Sequence, residues 1–182
     1  MQKTLIALAS AAGLLLTGCG SGSDAATGAA APSAPAASQR TTAAAGLPAC
    51  TAADIKVSGG FGAKPTVTVP DTCSPPTTLV MKDLVEGTGA VVKEGDTVDT
   101  NYLLVTWSDK QVLDTSFGRQ PFPVENVGHA QVIEGWNRGM IGIKQGGRRL
   151  LIVPPDLGYG AGGNGIQPNE TLVFVVDAVK VG

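Results

Sequence analysis

The feature that most constrains this fold is an alternation of apolar and other side chains that recurs in short runs after residue 79. Residues 98–107 and 171–181 each place apolar side chains on both faces of an extended chain, and residues 149–153 form a shorter run. Glycine and aspartate separate these runs, as turns separate strands. A period of two is typical of β-strands, so this part of the chain is predicted to form an antiparallel sheet.

One segment follows a different period. Within residues 132–140, Val132, Trp136 and Met140 lie four positions apart, and Ile133 falls on the same side. This spacing puts all four side chains on one face of a short helix. The predicted fold class is therefore α+β, a twisted antiparallel sheet with one short α-helix lying across it.

The first residues are typical of a bacterial export signal. Lys3 precedes an apolar stretch over residues 5–16, which is short for a membrane span and typical of a signal peptide. The stretch ends in Leu16-Thr17-Gly18-Cys19, which resembles the lipobox, where the cysteine is acylated and the preceding segment removed. Residues 1–18 are predicted to be a lipoprotein signal peptide and Cys19 the lipidation site. An ordinary signal peptide with an incidental cysteine is the alternative.

Residues 19–47 are rich in alanine, serine, glycine, proline and threonine. Such a composition buries too little apolar surface to offset the entropy of ordering the chain. The segment is predicted to be a disordered tether between the anchor and the rest of the protein.

Residues 48–78 contain the other two cysteines, Cys50 and Cys73. Two short strand candidates, 55–57 and 65–69, flank the glycine-rich turn 58–62, and the cysteines lie at similar distances from that turn. In an exported protein a disulfide is the natural interpretation, and here it would close a small β-hairpin arm. A reactive thiol pair or a metal site remains as an alternative.

Composition and motifs exclude several functions. The formal net charge is −2 with no basic run, so no nucleic-acid partner is expected. His129 is the single histidine, which leaves zinc too few ligands, and no G-x-S-x-G motif is present. Residues 158–163 match G-x-G-x-x-G, but the following Asn-Gly-Ile-Gln-Pro cannot begin the helix that a dinucleotide site requires. Neither a metal nor a cofactor is predicted.

Several short blocks occur in order from about residue 79 to the end of the sequence. They are Gly95–Val98, Asn101–Tyr102, Val112–Ser116, Pro121–Pro123, Val132–Trp136, Met140–Gly147, Val153–Gly160 and Ile166–Phe174. Together these blocks resemble the FKBP-type peptidyl-prolyl cis/trans isomerases, and residues 79–182 are predicted to form that domain. Residues 60–65 also resemble a segment that precedes such domains in actinobacteria-like proteins.

The resemblance implies an aromatic pocket that receives a proline ring between the sheet and the helix. Its implied catalytic residues are Tyr159, Asp114, Tyr102, Phe122 and Phe174. Its implied substrate-binding residues are Trp136, Val132, Ile133, Leu113 and Ile166. In this comparison Tyr159 and the Ile133 N–H bind peptide carbonyls, and pairing of Asp114 with Arg119 is left open because the intervening loop is shorter.

Leu113 departs from the family, which usually has phenylalanine there. The loss of this aromatic wall is expected to shift substrate preference and turnover and to weaken the binding of macrolide inhibitors. The predicted function is X–Pro isomerisation in secreted or envelope proteins. The alternative is a non-catalytic module that binds proline-containing peptides as a chaperone or scaffold.

The expected partners are proline-containing polypeptides, macrolide inhibitors of the family and the membrane through the lipid anchor. A monomer outside the cytoplasm is expected.

Overall fold

A computed structural model describes residues 46–182. The predicted signal peptide, the lipidation site Cys19 and nearly all of the tether lie outside these residues. In the described part of the chain, no helix is both long and apolar enough to cross a membrane.

The described chain forms eight strands and one α-helix. In chain order these are β1 (Lys56–Ser58), β2 (Thr66–Thr68), β3 (Val80–Val85), β4 (Val98–Thr106), β5 (Val112–Thr115), β6 (Phe122–Val124), α1 (Glu134–Gly139), β7 (Arg148–Val153) and β8 (Leu172–Val181). A single 3-10 turn, Pro155–Leu157, follows β7. The predicted antiparallel sheet with one short helix is confirmed.

The main sheet has six strands. Five follow the order β3-β7-β8-β4-β5, and β6 pairs with residues 98–100 of β4, beside the part of β4 that pairs with β5. All pairs are antiparallel. The two longest strands, β4 and β8, pair along their whole lengths, from Val98 opposite Val181 to Thr106 opposite Leu172. These are the two runs in which the alternation is longest, so the central pairing follows from the sequence pattern.

One face of the sheet packs against α1. The helix lies close to β7 because Gly135 and Gly139 face it: a Cβ on Gly135 would come within 2.4 Å of Val153 Cγ1, and one on Gly139 within 2.8 Å of Leu151 Cδ2. Arg149 holds the end of the helix by donating hydrogen bonds to the carbonyls of Gly139 and Ile141, both at 2.9 Å. The helix is shorter than the 132–140 segment because Ile133 has extended backbone at its N-cap.

The opposite face of the sheet is also apolar, and the arm covers it. Ile55 and Val69 of the arm are buried against side chains from β4, β7 and β8. The sheet residues in this contact are Leu103, Val105, Leu150, Ile152, Val173 and Val175. A two-sided core explains why these strands carry apolar side chains on both of their faces.

The arm itself is the predicted hairpin. β1 and β2 pair antiparallel with Val57 opposite Val67; β1 lies one residue later than predicted, and β2 is two residues shorter. Cys50 and Cys73 form the disulfide, with Cα atoms 5.1 Å apart. The bridge closes the open end of the hairpin, as the spacing of the cysteines predicts.

A buried ion pair attaches the arm to the sheet, which sequence reasoning did not foresee. Arg148 and Asp177 have fully buried side chains, and Arg148 Nε donates to Asp177 Oδ1 at 2.5 Å. The guanidinium also donates to the carbonyls of Gly59 and Ala63 at 2.7 Å each, and the Gly62 N–H donates to Asp177 at 2.8 Å. The turn of the arm thus supplies the polar partners that two buried charges require.

Candidate functional site: an aromatic cavity

A cavity of about 190 Å³ opens between α1 and the sheet. It is lined by Tyr102, Leu104, Asp114, Phe122, Gln131, Val132, Ile133, Trp136, Tyr159 and Phe174. This volume lies below the range of about 300–1,000 Å³ for drug-sized ligands and suits one small ring.

Four aromatic rings from four different elements form the floor and walls. Trp136 of α1 contacts the other three rings. Its ring centroid lies 5.4 Å from those of Tyr102 and Phe174 and 6.1 Å from that of Phe122. All these contacts are edge-to-face, the favourable geometry for aromatic pairs. The Trp136 Nε1–H is buried and has no hydrogen-bond acceptor among residues 46–182. An interlocked cluster of this kind gives a rigid apolar surface.

A polar network borders the apolar floor. Tyr102 Oη donates a 2.5 Å hydrogen bond to Asp114 Oδ2, while the Thr115 N–H and Arg119 Nη2 each donate to Asp114 Oδ1 at 2.7 Å. The pairing of Arg119 with Asp114, which the sequence left open, is therefore present despite the shorter loop. Three donors fix the orientation of one carboxylate at the edge of the cavity.

This network shifts two pKa values in opposite directions. The hydrogen bond from Tyr102, followed by those from Thr115 and Arg119, lowers the pKa of Asp114 below its usual value and outweighs partial burial. Desolvation, followed by the hydrogen bond to Asp114, raises the pKa of Tyr102 to about 12. Near neutral pH the network therefore consists of an ionised carboxylate and a protonated phenol.

Two backbone features complete the cavity. The carbonyl of Ile133 accepts the first hydrogen bonds of α1, from Trp136 and Asn137, and its own N–H has no acceptor among the described residues. Tyr159 is positioned by the 3-10 turn, in which Gly158 and Gly160 both donate to the Pro155 carbonyl at 2.9 Å. Pro154 and Pro155 therefore end β7 and direct the chain back over the cavity.

Eight of the ten residues assigned to the pocket from sequence line this cavity, and Leu113 and Ile166 do not. Leu113 lies on β5 with its side chain 40% exposed, and its Cδ1 is 3.9 Å from the position of a Cβ on Gly165. Ile166 is 6% exposed and packs in the core cluster that includes Trp136. Neither residue forms part of the cavity wall.

Sequence reasoning missed two lining residues, Leu104 and Gln131. Leu104 shares a strand face with Tyr102, so the alternation contained the signal that would have found it. Gln131 lies just before the helical spacing begins, and no periodic pattern marks it. Among the described residues, no group of three or more histidine, cysteine, aspartate or glutamate side chains is placed to hold a metal ion.

The fold and the cavity define a class: a six-stranded antiparallel sheet that, with one short helix, holds an aromatic pocket bordered by a tyrosine–carboxylate pair. Residues 89–179, which are 91 of the 182 residues, match the family model described as FKBP-type peptidyl-prolyl cis-trans isomerase. The chain belongs to this enzyme family. Every residue lining the cavity falls within the matched segment.

Relatives cover the same part of the chain. An FK506-binding protein from Streptomyces anulatus is 46% identical over 110 residues, which are 59% of this chain and 89% of that protein. An FK506-binding protein from Neisseria meningitidis serogroup B is 39% identical and covers 57% of this chain and 95% of its own length. The crystal structure of FkpA from Escherichia coli is 40% identical with a TM-score of 0.52, covering 58% of this chain and 48% of that one.

Proposed function

We propose that this protein catalyses rotation about X–Pro peptide bonds in polypeptides outside the cytoplasm. The observation that carries the proposal is the cavity itself, within a segment that matches an isomerase family. It combines four interlocked rings, a fixed carboxylate and an N–H that has no acceptor among residues 46–182. The volume of the cavity suits a ring of the size of proline.

The mechanism follows from the electronic structure of the amide. Rotation is slow because resonance gives the C–N bond partial double-bond character, with a barrier of about 20 kcal/mol. A planar amide is more dipolar than a twisted one, so an apolar surface such as that of Trp136 and Phe174 disfavours the planar ground state more than the transition state. Each ~1.4 kcal/mol of that difference accelerates rotation tenfold.

The polar groups at the edge would hold the peptide while it rotates. Ile133 lines the cavity, and its N–H would donate to a peptide carbonyl, while Tyr159 would donate to a second. Asp114 accepts hydrogen bonds from Tyr102 and Arg119. These bonds fix the part of the cavity wall past which the peptide carbonyl would rotate. No covalent bond forms or breaks in this reaction, and these residues need only bind and orient the substrate.

The test is cis/trans relaxation of a proline tetrapeptide with and without the purified protein. Tyr159→Phe removes one hydroxyl and retains the ring, so kcat/KM should fall roughly threefold to tenfold. Asp114→Ala should cost at least as much because the network loses its acceptor. Asp71→Ala is the matched control: it removes a carboxylate that is 88% exposed on the arm, and should change nothing.

A second function, peptide binding without catalysis, predicts a different outcome of the same assay. If the wild type binds the peptide but relaxes it no faster than the background rate, and Tyr159→Phe and Asp114→Ala leave that rate unchanged, the module is a scaffold.

We propose further that macrolides of the FK506 type compete with the peptide, since the relatives named above are FK506-binding proteins. The protein is proposed to act as a monomer.

A further inference from the structure

A second cavity, of about 440 Å³, adjoins the aromatic cavity described above and has no role in the proposed mechanism. It is lined by Phe122, Pro123, Val124, Glu125, Asn126, His129, Ala130, Gln131 and Val132. Phe122, Gln131 and Val132 line both cavities, so the two adjoin each other. A chain whose proline occupies the first cavity would therefore place its neighbouring residues close to the second.

The second cavity is held open by buried groups. The side chain of Asn137, 7% exposed on α1, accepts from the Ala130 N–H at 2.9 Å and donates to the Ala130 carbonyl at 3.2 Å. Val127 is fully buried behind the wall, and its N–H and carbonyl bond Asp96 and Gly95. These contacts fix the loop 125–132 before any peptide binds, which lowers the entropy cost of binding.

The charge on this wall is acidic. Glu125 lines the cavity and is exposed to solvent. The other titratable lining residue, His129, bonds Glu94 through Nε2 at 2.7 Å, so Glu125 is the carboxylate that faces the cavity without such a partner among residues 46–182. A bound peptide can form few backbone hydrogen bonds with β6, because the middle residue of this strand, Pro123, has no N–H. Recognition in this cavity therefore depends mainly on side chains.

We infer that the second cavity binds the residues flanking the substrate proline and favours a lysine or arginine there, through Glu125. This inference rests on the proposed function and specifies its substrate class: exposed X–Pro sites with a basic residue nearby. At a separation of about 6 Å in water, one added opposite charge changes affinity by about threefold. Because both charges are exposed, the preference should weaken in high salt.

The experiment uses the wild-type protein and a set of proline peptides in which each of three residues on either side of the proline is lysine, alanine or glutamate in turn. Both kcat/KM and Kd are measured. At one or more positions on one side, lysine should exceed glutamate by about threefold to tenfold, and the ratio should approach one near 1 M salt. Glu125→Gln should lower that ratio about threefold. Glu86→Gln, which neutralises an exposed carboxylate paired with Lys144, should retain the full ratio.

The outcomes of this experiment separate the hypotheses. Equal values for lysine and glutamate at all positions would overturn the inference, and so would a lysine preference that Glu125→Gln leaves intact. If no peptide is isomerised but the Kd values show the preference, the proposed catalysis is wrong and the binding site is correct. If peptides are isomerised with no preference, only the inference about the second cavity fails.

Discussion

Tyr102 and Asp114 show how a largely apolar cavity keeps a defined shape. The ring of Tyr102 contacts Phe122 and Trp136 edge-to-face, while its hydroxyl bonds the carboxylate of Asp114. Arg119 then neutralises the charge of Asp114 from the solvent side. One residue thus belongs to both the apolar floor and the polar edge, so a change at either part alters the geometry of the other.

The opposite pKa shifts in this pair predict its pH dependence. The lowered pKa of Asp114 means that its contribution is present above the usual carboxyl value of about 3.9 and is lost as pH falls through the folded value. The raised pKa of Tyr102 means that its contribution is complete below about pH 10 and is lost as pH rises through about 12. We therefore expect kcat/KM to be flat from about pH 5 to 9.

Titration of the tyrosinate absorbance tests this directly. The chain has two tyrosines, so Tyr159→Phe leaves Tyr102 as the single phenol. In that background Tyr102 should titrate clearly above the usual value of about 10, and Asp114→Asn should lower its pKa. A midpoint near 10 with Asp114 intact would show that the hydrogen bond is absent in solution.

At the scale of elements, the arm is a second cover for the sheet. Ile55 and Val69 bury the face opposite α1, and the turn of the arm binds Arg148 and Asp177. Arg148 also lies 5.6 Å from the ring centroid of Phe117, in the segment that leads from β5 to Arg119. The arm is therefore connected to the loop beside the pocket, and its integrity should influence the stability of the isomerase domain.

Breaking the buried pair should cost far more than breaking an exposed one. Arg148→Met leaves the Asp177 carboxylate buried without its cation, so the free energy of unfolding should fall by about 3–5 kcal/mol. The double variant Arg148→Met, Asp177→Leu removes both charges and should recover part of that loss. Lys144→Met, in the exposed pair with Glu86, is the control and should change stability by about 1 kcal/mol or less.

Urea unfolding of the four proteins provides these values. A loss of about 1 kcal/mol or less for Arg148→Met would show that the arm detaches readily and that water reaches Asp177 in solution. A double variant as unstable as the single one would assign the loss to the polar groups of the arm turn instead of the buried charge.

At the scale of the whole molecule, the described domain is linked through residues 19–47 to a segment with the pattern of a lipoprotein signal. The Cys50–Cys73 disulfide is consistent with an oxidising compartment, in which such bonds persist. We propose that the protein is anchored to the outer face of the cytoplasmic membrane. The tether would allow the pocket to meet chains that emerge in an incompletely folded state.

Substitution of the predicted lipidation site tests this arrangement. Cys19→Ala should prevent acylation and move the protein from the membrane fraction to the soluble fraction, with isomerase activity unchanged because the site lies far along the chain in residues 102–174. Cys19→Ser is a second variant with the same expectation. Membrane association that persists in both variants would mean that an uncleaved apolar segment is the anchor.

Much of this protein follows from local sequence patterns. The period of two in residues 98–107 and 171–181 predicted β4 and β8, and the spacing of Trp136 and Met140 predicted α1. Pairing of Cys50 with Cys73 followed from their even number and their places around the arm turn. Each of these features depends on residues close in sequence or on strong periodicity, so a single sequence contains enough information to find them.

The tertiary structure alone decided how distant groups meet. Arg148 and Asp177 are ordinary charged residues in sequence, and only the pairing of β7 with β8 and the docked arm make them a buried pair. Leu113 and Ile166 belonged to the implied pocket, yet the exposure of Leu113 on β5 and the core packing of Ile166 leave both outside the cavity lining. The second cavity likewise exists only where β6 and the loop before α1 converge. Periodicity is a local property of the chain, whereas burial, charge pairing and cavity shape depend on contacts between elements that sequence spacing does not encode.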